Sequence, residues 1–293
     1  DAHLISHELH GTVNVSSRRR LLSILGATLL VGQPLTAAQT GPRTNTDSAP
    51  ISGPGSQAIA DPAHSGIDPR ISEAHDLFLE HRVMESLQLF EDVIDDDPEM
   101  FEALWPAARS AIAQGLLSQG RRIQNQWYKI AESYARRATE IEPENLEGLY
   151  WLLSAKGLRA VQSGGREASA LGGEVYDLAH QVLEMDSLHA GAYHALGVLN
   201  FRVRRLSALQ RFVARTFLGA DVMNLASWAD AERYLTRAVE LRPEYILFHL
   251  DLGRMYLNRD RKEEARSHFQ RALELPVLEP PDPRFQATAE RRL

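Results

Sequence analysis

The stretch LDLGRMYLNRDRKEEARSHFQRALELP runs from Leu250 to Pro276. Gly253 is followed three residues later by Tyr256 and twelve later by Ala265, and seven more lead to Ala272. Phe269 lies between the two alanines. Apolar and small residues return at helical spacing on both sides of Asn258-Arg259-Asp260-Arg261. That pattern predicts two antiparallel helices whose backbones approach closely where Gly253, Ala265 and Ala272 lie.

Working outward, the same ending recurs. Breaks fall at Asp97-Pro98, Glu142-Pro143, Asp186-Ser187, Arg242-Pro243 and Leu275-Pro276. Each follows an apolar-acidic helix end such as Val93-Ile94, Glu140-Ile141, Glu184-Met185, Glu240-Leu241 or Glu274-Leu275. Proline cannot continue a helix but suits the first turn of the next. A recurring ending is the mark of an internal repeat. The pairs are expected over 71–97, 99–142, 144–186, an enlarged 188–242 and 244–275, with a capping helix over 281–293. Ala231, Leu235, Ala238 and Pro243 repeat the offsets of the last unit, Tyr193 and Gly197 fit a first helix, and so do Trp105 and Ala108. No stretch from Ile71 onward alternates like a strand.

These small and aromatic positions resemble the tetratricopeptide repeat (TPR). The fold class expected is all-α, a TPR helical solenoid of antiparallel helix pairs in a superhelix over residues 71–293. Each pair has an apolar face that only stacking can bury. A narrower resemblance rests on Gly197-Val198, Arg205-Leu206-Ser207, Phe217-Leu218-Gly219, Leu241-Arg242-Pro243 and Leu273-Glu274-Leu275-Pro276. In that order they look like the regulator-of-microtubule-dynamics family of TPR proteins. What the resemblance implies is a helical array behind an N-terminal anchor or targeting segment, acting in protein or lipid contact.

The front of the chain has another composition. Ser17-Arg18-Arg19-Arg20 precedes an apolar run from Leu21 to Val31, then Pro34 and Thr36-Ala37-Ala38. This layout predicts a bacterial-type export signal over 1–38, cleaved after Ala38, with residues before Val13 sitting awkwardly ahead of it. Sec and twin-arginine routes both stay open, as does an uncleaved anchor. The expected location is the periplasm or cell envelope. Residues 39–70 alternate prolines with glycines and are expected to be a disordered linker.

A formal net charge of −7 speaks against a nucleic-acid partner. The chain holds no cysteine, which removes disulfides, thiolate metal sites and cysteine nucleophiles. His7-Glu8-Leu9-His10 is one residue short of zinc-protease spacing, and Gly164-Gly165 and Gly172-Gly173 lack the lysine of a phosphate loop. No catalytic residues, metal or cofactor are therefore expected, and the function expected is a non-enzymatic scaffold for a protein or peptide. First helices line the concave side of such arrays, which nominates Trp105, Arg109, Tyr150, His194, Phe201, Arg202 and Arg254 as partner-binding residues; each also has a plain packing role. The alternative is a lipid or anionic-membrane binder. Between Phe201 and Ala220 there are five arginines and no acidic residue. On one helix, Leu206, Leu209, Phe212, Val213, Thr216 and Phe217 would share a side, leaving Arg204, Arg205, Arg211 and Arg215 to meet a membrane or an acidic partner; the plainer reading packs that side on the array and leaves the arginines solvated or paired with acids such as Asp221 and Asp230. The scaffold predicts a shallow, mixed-charge groove; the lipid binder predicts a deep apolar cavity with Arg202, Arg205 or Arg211 at its mouth.

Overall fold

Residues 68–212 and 226–293 are described by the structure, a computed structural model. The signal region and nearly all of the linker fall outside these residues, as do Val213, Arg215, Thr216 and Phe217. The described residues are helical, with no strand among them. In order they form α1 (Pro69–Leu79), α2 (Val83–Asp96), α3 (Phe101–Leu117), α4 (Arg121–Ile141), α5 (Leu146–Gln162), α6 (Gly165–Met185) and α7 (Ala190–Arg205). Then come α8 (Trp228–Leu241), α9 (Ile246–Asn258), α10 (Lys262–Glu274) and α11 (Asp282–Glu290). Pro69 and Arg70, linker by composition, instead make the first turn of α1. Proline suits that turn, and the Asp68 carboxylate accepts from the Arg70 N–H at 2.9 Å.

Four of the five breaks fold into one turn. The amide N–H of Met100, Asn145, His189 and Tyr245 donates to the carbonyl of Asp97, Glu142, Asp186 and Arg242, at 3.1–3.2 Å. Pro98, Pro143 and Pro243 occupy the second turn position, where a fixed φ is favourable; Ser187 takes it in the third break. The turn sends each new helix back along the previous pair, so the pairs stack α1–α2, α3–α4, α5–α6, α7–α8 and α9–α10. Three large apolar clusters run through the stack, around Leu104 and Phe90, around Leu153 and Leu196, and around Leu250 and Phe269.

Close approach within pairs depends on missing side chains. A Cβ on Gly253 would lie 2.6 Å from Phe269 Cε1, and one on Gly197 would lie 2.6 Å from Leu235 Cγ and 2.9 Å from its backbone nitrogen. Only glycine lets α9 meet α10, and α7 meet α8, at this spacing.

The fifth break behaves differently. After Leu275 the chain crosses the array as a strap, residues 276–281, and enters α11. Asp282 Oδ2 accepts from the Leu278 and Glu279 amides at 2.9 and 2.6 Å, which fixes the strap's turn. Phe285 and Ala289 pack into the C-terminal cluster. Gln286 Nε2 donates to the Leu275 carbonyl at 2.9 Å, capping the end of α10. Arg284 points the other way, and its Nη1 donates to the carbonyls of Leu116 and Ser118, the latter at 2.8 Å. Those are end-of-helix carbonyls of α3, which carry partial negative charge; the Ser118 carbonyl also accepts from Gln124 Nε2 at 3.0 Å. One short helix thus caps both the helix just before it and a helix near the other end of the stack, and the array closes on itself.

A closed concave cavity

The strap turns the concave side into a deep, partly open cavity of about 1030 Å³, walled by α3, α5, α7 and α9, parts of α4 and α6, and the strap itself. Its floor is mostly apolar: Ile112, Leu158, Val198, Leu199 and Phe248 face inward, and Glu279 and Pro281 of the strap with Phe285 of α11 complete the wall. This is deeper than the shallow groove the scaffold expectation described. A strap that follows the last repeat cannot be read as a wall from repeat spacing alone.

Two polar groups stand in the cavity. In the first, His194 Nε2 lies 3.0 Å from Asp251 Oδ2, and Arg254 Nη1 donates to Asp251 Oδ1 at 2.7 Å. Burial pushes the Asp251 carboxyl up, but the hydrogen bond from His194 and the charge of Arg254 outweigh it and hold the group ionised well below the usual range. His194 stacks on Phe248 with ring centroids 4.7 Å apart. Arg202 and Arg205 line the same end. Enclosure by the walls lowers the Arg202 pKa although water still reaches the side chain. Neither has an ion-pair partner among the described residues; Arg205 lies over the Phe201 ring at 5.5 Å.

In the second, Arg109 is buried on α3 with its guanidinium 4.1 Å from the Phe78 ring centroid and 5.9 Å from Trp151. Its Nη2 has no hydrogen-bond partner, and Glu279 Oε1 stands 3.8 Å away, too far for one. Nearby, Trp151 Nε1 donates to Glu147 at 3.0 Å; burial raises the Glu147 pKa despite that bond and the Arg109 charge. Burial likewise raises the Tyr150 and Tyr245 phenols.

Of the residues nominated from sequence, Arg109, Tyr150, His194, Arg202 and Arg254 meet in this cavity. Trp105 does not. It packs beside His75, ring centroids 5.7 Å apart, between the first two pairs. Nor does Phe201, which is 7% exposed in the C-terminal core against Trp228. Phe201 lies a quarter-turn or so off the inward stripe, in the seam with the next helix, whereas Trp105 lies on the stripe one turn before Arg109, where His75 of α1 packs beside it. The basic segment also departs from expectation. Helix α7 ends at Arg205, and Ser207 starts a new one: Ser207 Oγ accepts from the Gln210 amide at 3.1 Å while Gln210 Oε1 accepts from the Ser207 amide at 2.8 Å. This reciprocal capping box, legible as Ser-x-x-Gln, separates Leu206 from the helix that follows. Arg211 turns back and donates to the carbonyls of Arg204 and Leu206, so it caps α7 rather than facing outward. Arg204 is half-buried and does not line the cavity, whereas Arg205 and Leu209 do. Arg215 lies outside the described residues. Asp251, Glu279 and Arg284 were missed; nothing in repeat spacing marks an acid that pairs across helices or a residue beyond the last break.

Among the described residues no group of three or more histidines and acids converges as a metal site would, and no helix is long and apolar enough to cross a membrane.

The model of one protein family, "RMD1-3: Regulator of microtubule dynamics protein 1-3", matches residues 71–293. No curated protein matches the chain in sequence. Among solved structures, TTC0263, a thermophilic TPR protein of Thermus thermophilus, is similar with a TM-score of 0.55 at 19% identity, over 76% of this chain and 97% of that one. YrrB, described as a TPR protein with an unusual peptide-binding site, gives 0.38 at 14% identity over 76% and 91%. MamA from Desulfovibrio magneticus RS-1 gives 0.42 at 15% over 71% and 93%. The first likeness bears on the fold, a TPR-type helical array.

Proposed function

The chain belongs to the regulator of microtubule dynamics protein 1-3 family, and we propose that it is a non-enzymatic scaffold of the cell envelope that holds an acidic, extended peptide segment of a partner protein in its concave cavity. The envelope location rests on the arginine-led, apolar N-terminal segment. The observation that carries the ligand class is a charge reversal. In a chain of net charge −7, the cavity wall presents Arg109, Arg202, Arg205 and Arg254 against only two carboxylates, Asp251 and Glu279. Asp251 is already committed to His194 and Arg254. Apolar walls would take the side chains, and Ser154, Ser169 and Gln162 offer polar groups to a backbone.

The test is a titration followed by tryptophan fluorescence, since Trp151 lines the wall. The probe is a pool of N-acetylated octapeptides alternating aliphatic and acidic residues, with a lysine-containing pool as control. Saturable binding of the acidic pool, weakened by salt and absent for the lysine pool, is expected. Equal binding of both pools, or none, would contradict the proposal.

A second reading, an anionic amphiphile or membrane surface, draws on Arg202 and Arg205 standing in a deep apolar cavity, with Leu209 71% exposed beside them. Vesicles with and without anionic lipid separate the two. Salt-sensitive binding to anionic vesicles that is lost in an Arg202→Ala, Arg205→Ala double variant, with no peptide binding, would favour it.

A further inference from the structure

Arg109 and the strap together carry a more specific inference, which rests on the acidic-peptide reading. The Arg109 guanidinium lies over the Phe78 ring with a buried nitrogen that makes no hydrogen bond. An unsatisfied buried donor on a charged group is destabilising. The carboxylate nearest to it, Glu279, belongs to the strap and stops at 3.8 Å. At that distance Glu279 supplies charge balance to Arg109 and leaves the directional contact on Nη2 open.

The two sides of the strap are unequal. Toward α10 it is fixed by apolar packing of Phe285 and Ala289 and by the Gln286 cap. Toward α3 its hold is polar, through the Arg284 cap and the long Arg109–Glu279 pair.

We propose that Arg109 is the recognition site for a carboxylate of the ligand, and that Glu279 is its internal competitor. The incoming carboxylate takes the open hydrogen bond on Arg109 Nη2 and displaces Glu279. The displacement loosens the strap at the α3 seam, which both admits the acidic peptide and reports its arrival. A carboxylate seated on Arg109 gains a charge-assisted bond that the long pair lacks. Release of the strap costs the Arg284 cap unless that bond is kept, so binding and opening are coupled through one residue.

Glu279→Gln distinguishes a competitor from a plain support. It removes the charge that competes for Arg109 while keeping the side chain's size. The acidic peptide pool is expected to bind this variant about tenfold more tightly than the wild type, as a pre-paid opening would allow. Arg109→Gln is expected to bind about tenfold more weakly. Hydrogen exchange of residues 276–293 should quicken in Glu279→Gln without ligand, and in the wild type when the pool is added. Wild-type binding with unchanged or weaker affinity in Glu279→Gln overturns the competitor while leaving the scaffold proposal standing. If the wild type binds neither pool, the scaffold proposal fails, and unchanged exchange of the strap in Glu279→Gln overturns the competitor as well.

Discussion

The last pair, α9–α10, and the middle of the array, α4–α5–α6, solve the same packing problem in different ways. In the last pair Gly253 lets Phe269 lie against the backbone, and Ala265 and Ala272 complete a dry seam with Leu252 and Met255. In the middle the position ten residues past the turn proline is Leu153, not glycine, and the second helices lengthen from the 13 residues of α10 to 21 in α4 and α6. The extra turns are held by ions. Glu132, 5% exposed, accepts from Lys156 Nζ at 3.2 Å and from Arg159 and Arg136, and Lys156 also reaches Glu174. The regular pair is built for contact. The irregular middle, with longer helices and Gly157 and Gly172 on its inner wall, is where the cavity opens.

The largest test of that contrast is Glu132→Ala. It leaves Lys156 and Arg159 without their shared partner and should cost about 3–5 kcal/mol in urea unfolding, while Glu132→Leu with Lys156→Met should recover most of it. Equal loss in both variants would mean the middle is held by shape rather than charge. Next is Gly253→Ala, whose Cβ meets Phe269, at about 2 kcal/mol.

The two regions should also differ in pH response. In the last pair His249 Nδ1 faces His268 Nδ1 at 3.0 Å, and His249 Nε2 lies 3.0 Å from the Pro243 carbonyl. Burial and the neighbouring ring lower His268 from 6.5 to about 4, and burial lowers His249. Between those values the unfolded chain binds more protons than the folded one. The stabilisation is therefore fully present above pH 6.5 and is lost as pH falls toward 4. With His268 partly exposed, screening reduces the loss to about 1 kcal/mol between pH 7 and 5. His268→Gln should flatten this slope in thermal melts. The Glu132 network responds lower: burial raises that carboxyl, but bonds from Arg159 and Lys156 outweigh it and keep it below 4.5, so its contribution is lost only as pH falls through that region. The smallest effect is Gly157→Ala, where only Val175 Cγ2 at 4.0 Å meets the new methyl. A gain of about 0.5–1 kcal/mol is expected from helix propensity, opposite in sign to Gly253→Ala.

This contrast explains how far the chain can be read without its structure. Residues 250–276 are legible because close packing demands particular small residues at particular spacings, and the proline breaks because one turn recurs four times. Within the cavity, Arg109, Tyr150, His194, Arg202 and Arg254 were legible as inward positions of first helices. Phe201 sits on a neighbouring position where periodicity cannot separate a wall from a seam, and Trp105 sits on the inward stripe but beside His75 of α1, a contact periodicity does not record. Glu279 and Arg284 were illegible for a different reason: they act on α3, at the far end of the sequence, through contacts that no local pattern records.

The array closes through the strap and so makes its cavity. The absence of cysteine from the chain allows two spin labels to be placed cleanly, at Gln119→Cys beside the α3 end and Arg291→Cys at the end of α11. Pulsed electron-spin distance measurement should give a narrow, short distance that broadens toward longer values when Arg284→Ala removes the cap. A broad, long distribution in the otherwise unaltered chain would contradict closure, and with it the cavity in which the peptide is proposed to bind.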